Sequence, residues 1–561
     1  MSIASSCCTR AVSSRRARTA SCSTRAVSTI ASTSCSTVRS LRNAFALVLA
    51  ALLIGACQYL PQQVFTFPAG APAPTLAATR DGEHIQILHT NDIHGRMEPE
   101  RLSGSNSSFE RGGIANLAGF IVQQRARLPE RTLVLDAGDT WQGSFISNAN
   151  KGAAMVQAMN LMGYDAQTLG NHDFDWGQDV LRARASEARF PFLAANVVDA
   201  VSGSVVPFAK PYLVKDLGIT RVGIIGIANP GTPAINKPAN MSGLRFLAAA
   251  ETVRRYLPEV RKLADVIVVM THMSQTGVEE DRQLAREVSG IDVIVSAHSH
   301  TALQNAVVEN GTTIVQAGAY ADFLGRLDLT IDPATHHVAA VAGASELIAI
   351  VGGKVPVPAE VAKIVADRAA EARSVTSRVV GRTTLDLPLV TRGESALGDL
   401  IADAMLEYCR GQGWSSDVAL YNGAGIRSAI PPGDVTYGKV YEVLPFDDLV
   451  VGLDLTGQQL TTIYTRSLSD RGANLAISGA TFSYQPSGTI TTATVGGAAI
   501  APARTYHVCT IDYLALGGDG QSTFASGKNL VYGDIAADAV ADYLTKHSPV
   551  SPRLEARIVA R

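Results

Sequence analysis

Aromatic side chains are scarce in this 561-residue sequence, at 6%, and charged ones make up only 17%. With 46% apolar residues beside so few charges, the chain is not a disordered polyelectrolyte but one able to bury packed cores. Net charge is lacking too: the formal value is −2, which gives no global electrostatic reason to expect a nucleic-acid polymer as partner. Cysteine is nearly absent from the body of the chain. Of seven, Cys7, Cys8, Cys22, Cys35 and Cys57 fall in the first 57 residues, leaving Cys409 and Cys509. Two thiols exclude a disulfide scaffold and leave open one disulfide or two buried free thiols. Acidic residues are missing altogether from Met1 to Leu41, where Ser, Thr, Ala and Arg prevail.

The uncharged apolar run Ala44–Ala56, after Arg39 and Arg42, is too short for a transmembrane helix of ~20 residues. It matches the hydrophobic core of a secretory signal. The run ends Leu53-Ile54-Gly55-Ala56-Cys57, which resembles the lipobox of bacterial lipoproteins, in which the Cys is lipidated and becomes the first residue. Gln58, rather than Asp, resembles an outer-membrane sorting signal. The expectation is an exported protein, periplasmic or anchored to the outer membrane through a lipid on Cys57. Residues 1–57 form the leader, and the Pro/Ala/Gln-rich stretch 58–82 a flexible tether. The long basic leader also imitates an organelle transit peptide, and Val38 is an alternative start.

From Glu83 onward, strand-like apolar runs alternate with amphipathic stretches, as in a layered α/β domain. The runs are His84–His89, Thr132–Leu135, Asp165–Leu169, Val222–Ile227, Val266–Met270 and Val293–Ser296. The first leads into Asn91-Asp92-Ile93-His94-Gly95 and the second into Asp136-Ala137-Gly138-Asp139. The third leads into Gly170-Asn171-His172, the fifth into Thr271-His272 and the sixth into Ala297-His298-Ser299-His300. The fourth ends Ala228-Asn229-Pro230, without an obvious ligand.

Any one of these is ordinary. Gly170–Asp175 alone reads as a capped turn, since Gly-Asn is turn chemistry and Asn or Asp caps helices. Five apolar runs that each end in Asp, Asn or His are harder to explain, because strand ends in open α/β sheets are where ligands bind. Five of the eleven His in the chain sit at these ends. Imidazole, carboxylate and amide without thiolate favour Zn, Mn, Fe or Co over a structural Cys-zinc site. Asp92 and His94 lie two apart, as do His298 and His300, so an extended chain would turn both members of a pair the same way. One catalytic ion with an open position needs fewer donors. Two ions sharing a carboxylate, ~3.5–4 Å apart, need about this many and can hold both the attacking and leaving oxygens of an in-line phosphoryl displacement.

These blocks resemble, in order, the five motifs of the calcineurin-like metallophosphoesterases. From about Glu83 to Arg561 the chain resembles the two-domain bacterial and animal 5′-nucleotidases and the related UDP-sugar hydrolases. The resemblance implies an α/β chain with a four-layer α/β/β/α metallophosphoesterase domain over 83–350. A linker helix over 351–378 and a second, α+β substrate-binding domain over 379–561 follow. It implies two divalent metal ions, Zn, Mn or Co. Asp92, His94, Asp139 and His300 hold one; Asp139, Asn171, His272 and His298 hold the other, with Asp139 bridging. His172 becomes the catalytic imidazole that is not a ligand, oriented by Asp175. Asp173, where many relatives have Glu, is expected to touch no proposed ligand. Arg111-Gly112-Gly113-Ile114-Ala115 resembles a further block, its glycines serving close backbone packing, and Trp176 belongs on the crevice floor.

Four stretches mark the second domain: Thr391-Arg392-Gly393 before a helix-like Glu394–Glu407, Tyr421–Arg427, Leu444-Pro445-Phe446 and Tyr513–Gly520. Singly they read as core aromatics, surface charge and turns. Together they resemble the family's substrate domain. That implies Phe446 and Tyr513 stacking a nucleobase, Asp519 on the ribose, and Asn422, Arg427 and Arg392 on the rest of the nucleotide. Departures are Ala424 where Gly is commoner and Asp399 where Asn is commoner. The implied activity is release of inorganic phosphate from nucleotides, first of all nucleoside 5′-monophosphates. A hydroxide generated at the metals attacks phosphorus in line, His172 stabilises the developing charge, and the two domains close around the substrate. Alternatives stay open: a 2′,3′-cyclic nucleotide phosphodiesterase/3′-nucleotidase, or a UDP-sugar and nucleoside di- and triphosphate hydrolase. So do a thiosulfohydrolase of sulfur oxidation and a nucleotide-binding surface lipoprotein with an idle metal site. Oligomeric state is not legible.

Overall fold

The computed structural model describes residues 83–103, 108–341, 345–469 and 471–561. The expected leader 1–57, with Cys57, and the tether 58–82 lie outside the described residues. No described helix is long and apolar enough to cross a membrane.

All six apolar runs are strands: Glu83–Thr90, Thr132–Asp136, Ala166–Thr168, Arg221–Ile227, Val266–Thr271 and Val293–Val295. The first three are parallel neighbours in one sheet, with Phe323–Ile331 antiparallel on the free side of Glu83–Thr90. The other three are parallel neighbours in a second sheet. The two-residue side-chain period decides what each face covers. Ile85, Ile87, Leu133 and Leu135 of one sheet share a buried core with Val266, Val268, Met270 and Val293 of the other. Leu88 and Val134 face the opposite way, onto helices Ile114–Arg125 and Ala153–Met162. Ile267 and Val269 face outward from the second sheet onto helices Ala249–Val260 and Glu279–Glu287. This gives the expected α/β/β/α order, and strands covered on both faces read as continuous apolar runs. Because the strands are parallel, all five ligand-bearing loops leave from C-terminal strand ends.

After the break at Gly352–Pro358, helix Ala359–Thr376 packs back on this domain, with Val361, Ala369 and Ala372 in the core beneath Ile114–Arg125 and Ala153–Met162. The remainder is built on a five-stranded sheet in the order Ala476–Ser478, Val418–Tyr421, Thr505–Ile511, Leu449–Thr456, Lys528–Ile535. Helices Ala396–Gly411 and Ala536–His547 pack against it. The helix expected at Glu394 starts at Ala396, because the Ser395 side chain accepts the Gly398 amide at 2.9 Å as an N-cap. Near its far end Cys409 is joined to Cys509 in strand Thr505–Ile511, so of the two cysteine alternatives the structure has the disulfide.

Candidate active site

The strand-end loops converge. Asp92, His94 and His300 form one cluster and Asp139, His272 and His298 a second, the ligand atoms within each lying within 4.8 Å of one another. Asp92 Oδ1 lies between the two, 3.3 Å from His300 Nε2 and 3.8 Å from His272 Nε2. His272 Nε2 is 3.0 Å from Asp139 Oδ2.

The backbone reaches this arrangement differently from the extended geometry expected of the two-residue spacings. Asp92 (φ 50), His94 (φ 49), Asp139 (φ 53), His298 (φ 78) and His300 (φ 56) are all left-handed. For residues with a Cβ that conformation costs ~1–3 kcal/mol each and persists where surroundings over-determine it, commonly at functional sites. Asp92 and His94 still meet in one cluster, but His298 and His300 separate, one to each.

The donor atoms suit cations. His94 Nδ1 and His272 Nδ1 face the carbonyl oxygens of Gln142 and Ala137 at 3.1 and 2.7 Å. Those nitrogens carry the hydrogens and leave each Nε2 lone pair for a metal. Asp92 Oδ1, Asn171 Oδ1 and His272 Nε2 are buried with no aligned hydrogen bond. Buried acceptors left without partners are rare in a finished interior, and a divalent ion in each cluster would satisfy them. Burial alone would raise the pKa values of Asp92 and Asp139. The imidazoles of His300 and His272 beside Asp92, and of His272 and His172 beside Asp139, outweigh it and hold both well below the usual carboxylate range. Buried acids outside the two clusters go the other way: burial pushes Asp136 up to about 7 and raises Asp173, to which the Asp139 charge adds.

Asp173 does touch a proposed ligand, contrary to expectation. Its carboxylate accepts the backbone N–H groups of Asp139, Thr140 and Gly170 at 3.2, 3.1 and 2.8 Å. The two loops it clasps are so close that a Cβ on Gly170 would run into the Asp139 carboxylate, which is why glycine stands there. Two residues on, His172 Nδ1 donates to Asp175 Oδ2 at 2.8 Å, and the His172 amide donates to Asp139 Oδ1 at 2.7 Å. Burial lowers the His172 pKa, but Asp175 and Asp139 outweigh it and the net shift is upward. Asp175 Oδ1 accepts from Asn236 Nδ2 at 2.8 Å, so both carboxylate oxygens are engaged.

Beside His172 opens a cavity of about 560 Å³ with walls from both halves of the chain. All six residues expected to bind substrate, Arg392, Asn422, Arg427, Phe446, Tyr513 and Asp519, line it, and so does Trp176. The Phe446 ring lies 5.2 Å from the His172 ring, centroid to centroid. The Arg427 guanidinium lies over Phe446 at 5.8 Å, with one nitrogen 3.3 Å from His94 Nε2. Tyr513 donates its hydroxyl hydrogen to Asp519 Oδ1 at 2.8 Å, and its ring lies flat on Gly518, where a Cβ would meet it at 2.5 Å. Asp519 Oδ2 accepts from Asn422 and Asn474 at 3.0 and 2.9 Å. Gln142 and Asn148 both donate to the Pro445 carbonyl at 2.7 Å, which fastens the Phe446 segment to the metal-ligand loops.

Sequence reasoning missed Asn236, Asn474 and Gln142, which lie in loops, and Asn148, which ends the one-turn helix Phe145–Asn148, all too short for a periodic pattern. It also passed over Asn229, at the end of the fourth strand, whose amide nitrogen is 3.4 Å from His298 Nε2. There the signal was present: Asn229 ends its run as the ligands end theirs.

Comparison with known proteins agrees with this geometry. The calcineurin-like phosphoesterase family matches residues 85–302, and the 5′-nucleotidase C-terminal domain matches residues 375–526. The solved 5′-nucleotidase precursor from Thermus thermophilus superposes with a TM-score of 0.78 at 31% identity, covering 85% of this chain and 99% of that one. The snake venom 5′-nucleotidase of Naja atra is 29% identical over 529 residues, 85% of this chain and 98% of its own. The sulfate thiohydrolase SoxB from Thermus thermophilus superposes with a TM-score of 0.72 at 19% identity, covering 85% and 96%, a likeness of fold alone.

Proposed function

Since this chain belongs to the 5′-nucleotidase family and is a metal-dependent phosphoester hydrolase, we propose that it releases inorganic phosphate from nucleoside 5′-monophosphates before other nucleotides. One observation carries the reading: Phe446, Tyr513 and Asp519 line the same cavity as His172 and Asn171. That places groups suited to a nucleoside beside groups suited to a phosphate.

Family membership brings two divalent metal ions, and the residues present fit them. In the proposed assignment Asp92, His94, Asp139 and His300 hold one, and Asp139, Asn171, His272 and His298 the other. Zn, Mn and Co all suit this donor set. Bound there, the ions supply Lewis-acid charge at the phosphoryl oxygens and lower the pKa of water. The protein's own groups do the rest. With Nδ1–H held by Asp175, His172 keeps Nε2 for the cavity. It donates to phosphoryl oxygens as charge develops and passes a proton to the departing 5′ oxygen. Arg427 adds a fixed cation. Phe446 and Tyr513 hold the base by stacking, which tolerates any base, and Asp519 accepts the ribose hydroxyls. The hydrogen bonds from Gln142 and Asn148 to the Pro445 carbonyl hold the Phe446 segment against the first domain.

Arg466 lines the same cavity as Arg392 and Arg427. Three guanidinium groups favour one second reading, in which di- and triphosphates or UDP-sugars are also accepted. Export, to the periplasm or to an outer-membrane anchor at Cys57, completes the proposal.

The deciding experiment measures phosphate release from mono-, di-, tri- and cyclic nucleotides and from UDP-sugars. It is run with and without EDTA and then with Mn, Zn or Co restored. No release from any of these overturns the substrate reading; release that survives EDTA overturns the metal roles.

A further inference from the structure

A lysine outside every motif joins the two walls of the cavity. Lys237 stands immediately before the short helix Pro238–Met241, and its ammonium lies 2.9 Å from Asp512 Oδ2 and 3.4 Å from Asp448 Oδ1. Each carboxylate sits beside one of the proposed stacking rings: Asp512 precedes Tyr513, and Asp448 follows Phe446 by two residues. The other oxygen of Asp512 accepts the amides of Tyr513 and Leu449 at 2.9 and 3.1 Å, tying the two ring-bearing segments to each other.

The residues around Lys237 hold the catalytic side. Asn236 donates to Asp175 Oδ1 at 2.8 Å and to the Asn171 carbonyl at 2.9 Å. Asn240 donates to the Asp175 carbonyl at 2.9 Å and to Asn236 Oδ1 at 3.1 Å. Residues 236–240 therefore grip the His172–Asp175 dyad with two asparagines and the aromatic segments with one lysine. Asp448 and Asp512 are only 7% and 12% exposed in their side chains, and Lys237 is the cation paired with both. Burial would lower the Lys237 pKa, but the two carboxylates hold it above its ordinary value. Burial, with the Asp512 charge beside it, pushes Asp448 up to about 8 even next to Lys237, so without the cation Asp448 takes up a proton, Asp512 keeps only its two amide donors, and the link from both segments to Lys237 is lost.

We propose that Lys237 is a positioning residue of the nucleotide reaction: it draws the segments bearing Phe446 and Tyr513 onto the first domain and, through Asn236, registers them against the His172–Asp175 dyad. The inference rests on the nucleotide reading above. It has a consequence for specificity. A phosphoester with no aromatic ring has no use for the registered rings, so it is hydrolysed independently of Lys237.

The test compares Lys237→Met, Lys237→Arg and wild type on a nucleoside 5′-monophosphate and on glycerol 2-phosphate, which has no ring to stack. Lys237→Met is expected to raise KM for the nucleotide roughly tenfold or more while leaving kcat/KM for glycerol 2-phosphate within about twofold. Lys237→Arg keeps a cation able to bridge two carboxylates and restores the nucleotide KM. Equal losses on both substrates, or none on the nucleotide, overturn the proposal. Small-angle scattering of the ligand-free protein gives a reading independent of activity: Lys237→Met shows a larger radius of gyration, and an unchanged radius also overturns it. Failure of wild type to hydrolyse any nucleotide sinks the nucleotide reading alone, and the scattering still decides whether Lys237 holds the walls together.

Discussion

The Asp173 carboxylate holds Asp139 by its backbone amide at 3.2 Å, and the same oxygen takes the Gly170 amide at 2.8 Å. Two loops from neighbouring strands, one with the proposed bridging ligand and one with the proposed catalytic imidazole, are thus joined through a buried acid that ligates nothing. Asp173→Ala strands the amides of Asp139, Thr140 and Gly170, and each buried group left without a partner costs ~1–3 kcal/mol. The variant is expected to melt lower by calorimetry and to retain less metal. Asp173→Asn keeps an acceptor oxygen and falls between. Wild-type melting and metal content in the alanine variant would show that the loops hold themselves.

His172 and Asp139 are hydrogen-bonded neighbours with separable roles. His172→Ala removes an imidazole whose ring is engaged by Asp175 and which is not placed among the ligands, so metal content stays at the wild-type level. Nucleotide turnover falls on the order of 10²–10⁴-fold, the range for loss of a positioned acid. Asp139→Ala takes away a carboxylate shared by both proposed ions, so metal and turnover are lost together. Elemental analysis of the two purified variants separates the cases, and equal metal loss in both would sink the His172 assignment.

Legibility followed burial and rarity. Six strands of the metal-ligand domain showed in the sequence because both faces are covered, which forces neighbours such as Ile87 and Leu88, on opposite faces, to be apolar together. The ligand loops showed because His is uncommon and five of eleven ended those runs. The left-handed backbone at Asp92, His94 and Asp139 did not show, since no glycine marks it and tertiary contacts impose it. Nor did Asn236, Lys237 or Asn474. Asparagine suits any turn, and what makes Asn236 matter is a carboxylate 61 residues earlier in the chain. For Lys237 the partner lies 275 residues away, beyond any local pattern.

The aromatic pair is expected to act on binding rather than on chemistry. Phe446→Ala and Tyr513→Ala should each raise the nucleotide KM by about ten- to a hundredfold, matching the ~1–3 kcal/mol that base stacking contributes. Hydrolysis of glycerol 2-phosphate, which has no ring, should change little. Asp519→Asn is expected to erase discrimination between a ribonucleotide and its 2′,3′-dideoxy analogue, because the charge that accepts the hydroxyls is gone. A kcat/KM ratio for those two substrates as large in the variant as in wild type would remove Asp519 from the ribose.

Asp399 supplies a pH dependence of stability far from the ligands. Its carboxyl is 2% exposed, Oδ2 has no hydrogen-bond partner, and Arg557 is committed to Asp403 at 2.7 and 2.9 Å while standing 3.9 Å from Asp399. Burial raises its pKa to about 8 against the pull of Arg557, and the neighbouring Glu394 adds to the rise. In the unfolded chain an Asp loses its proton near pH ~3.9. Below that pH both states are protonated and the folded state keeps its full stability. As pH rises toward 8 the unfolded chain is the better acid, and stability is lost progressively, on the order of a few kcal/mol at most. Asp399→Asn places a neutral amide there and abolishes the loss. Melting temperatures of variant and wild type should therefore converge toward pH ~4 and part toward pH ~8 with the variant higher, whereas parallel curves across that window would mean that Asp399 is ionised in the folded protein throughout.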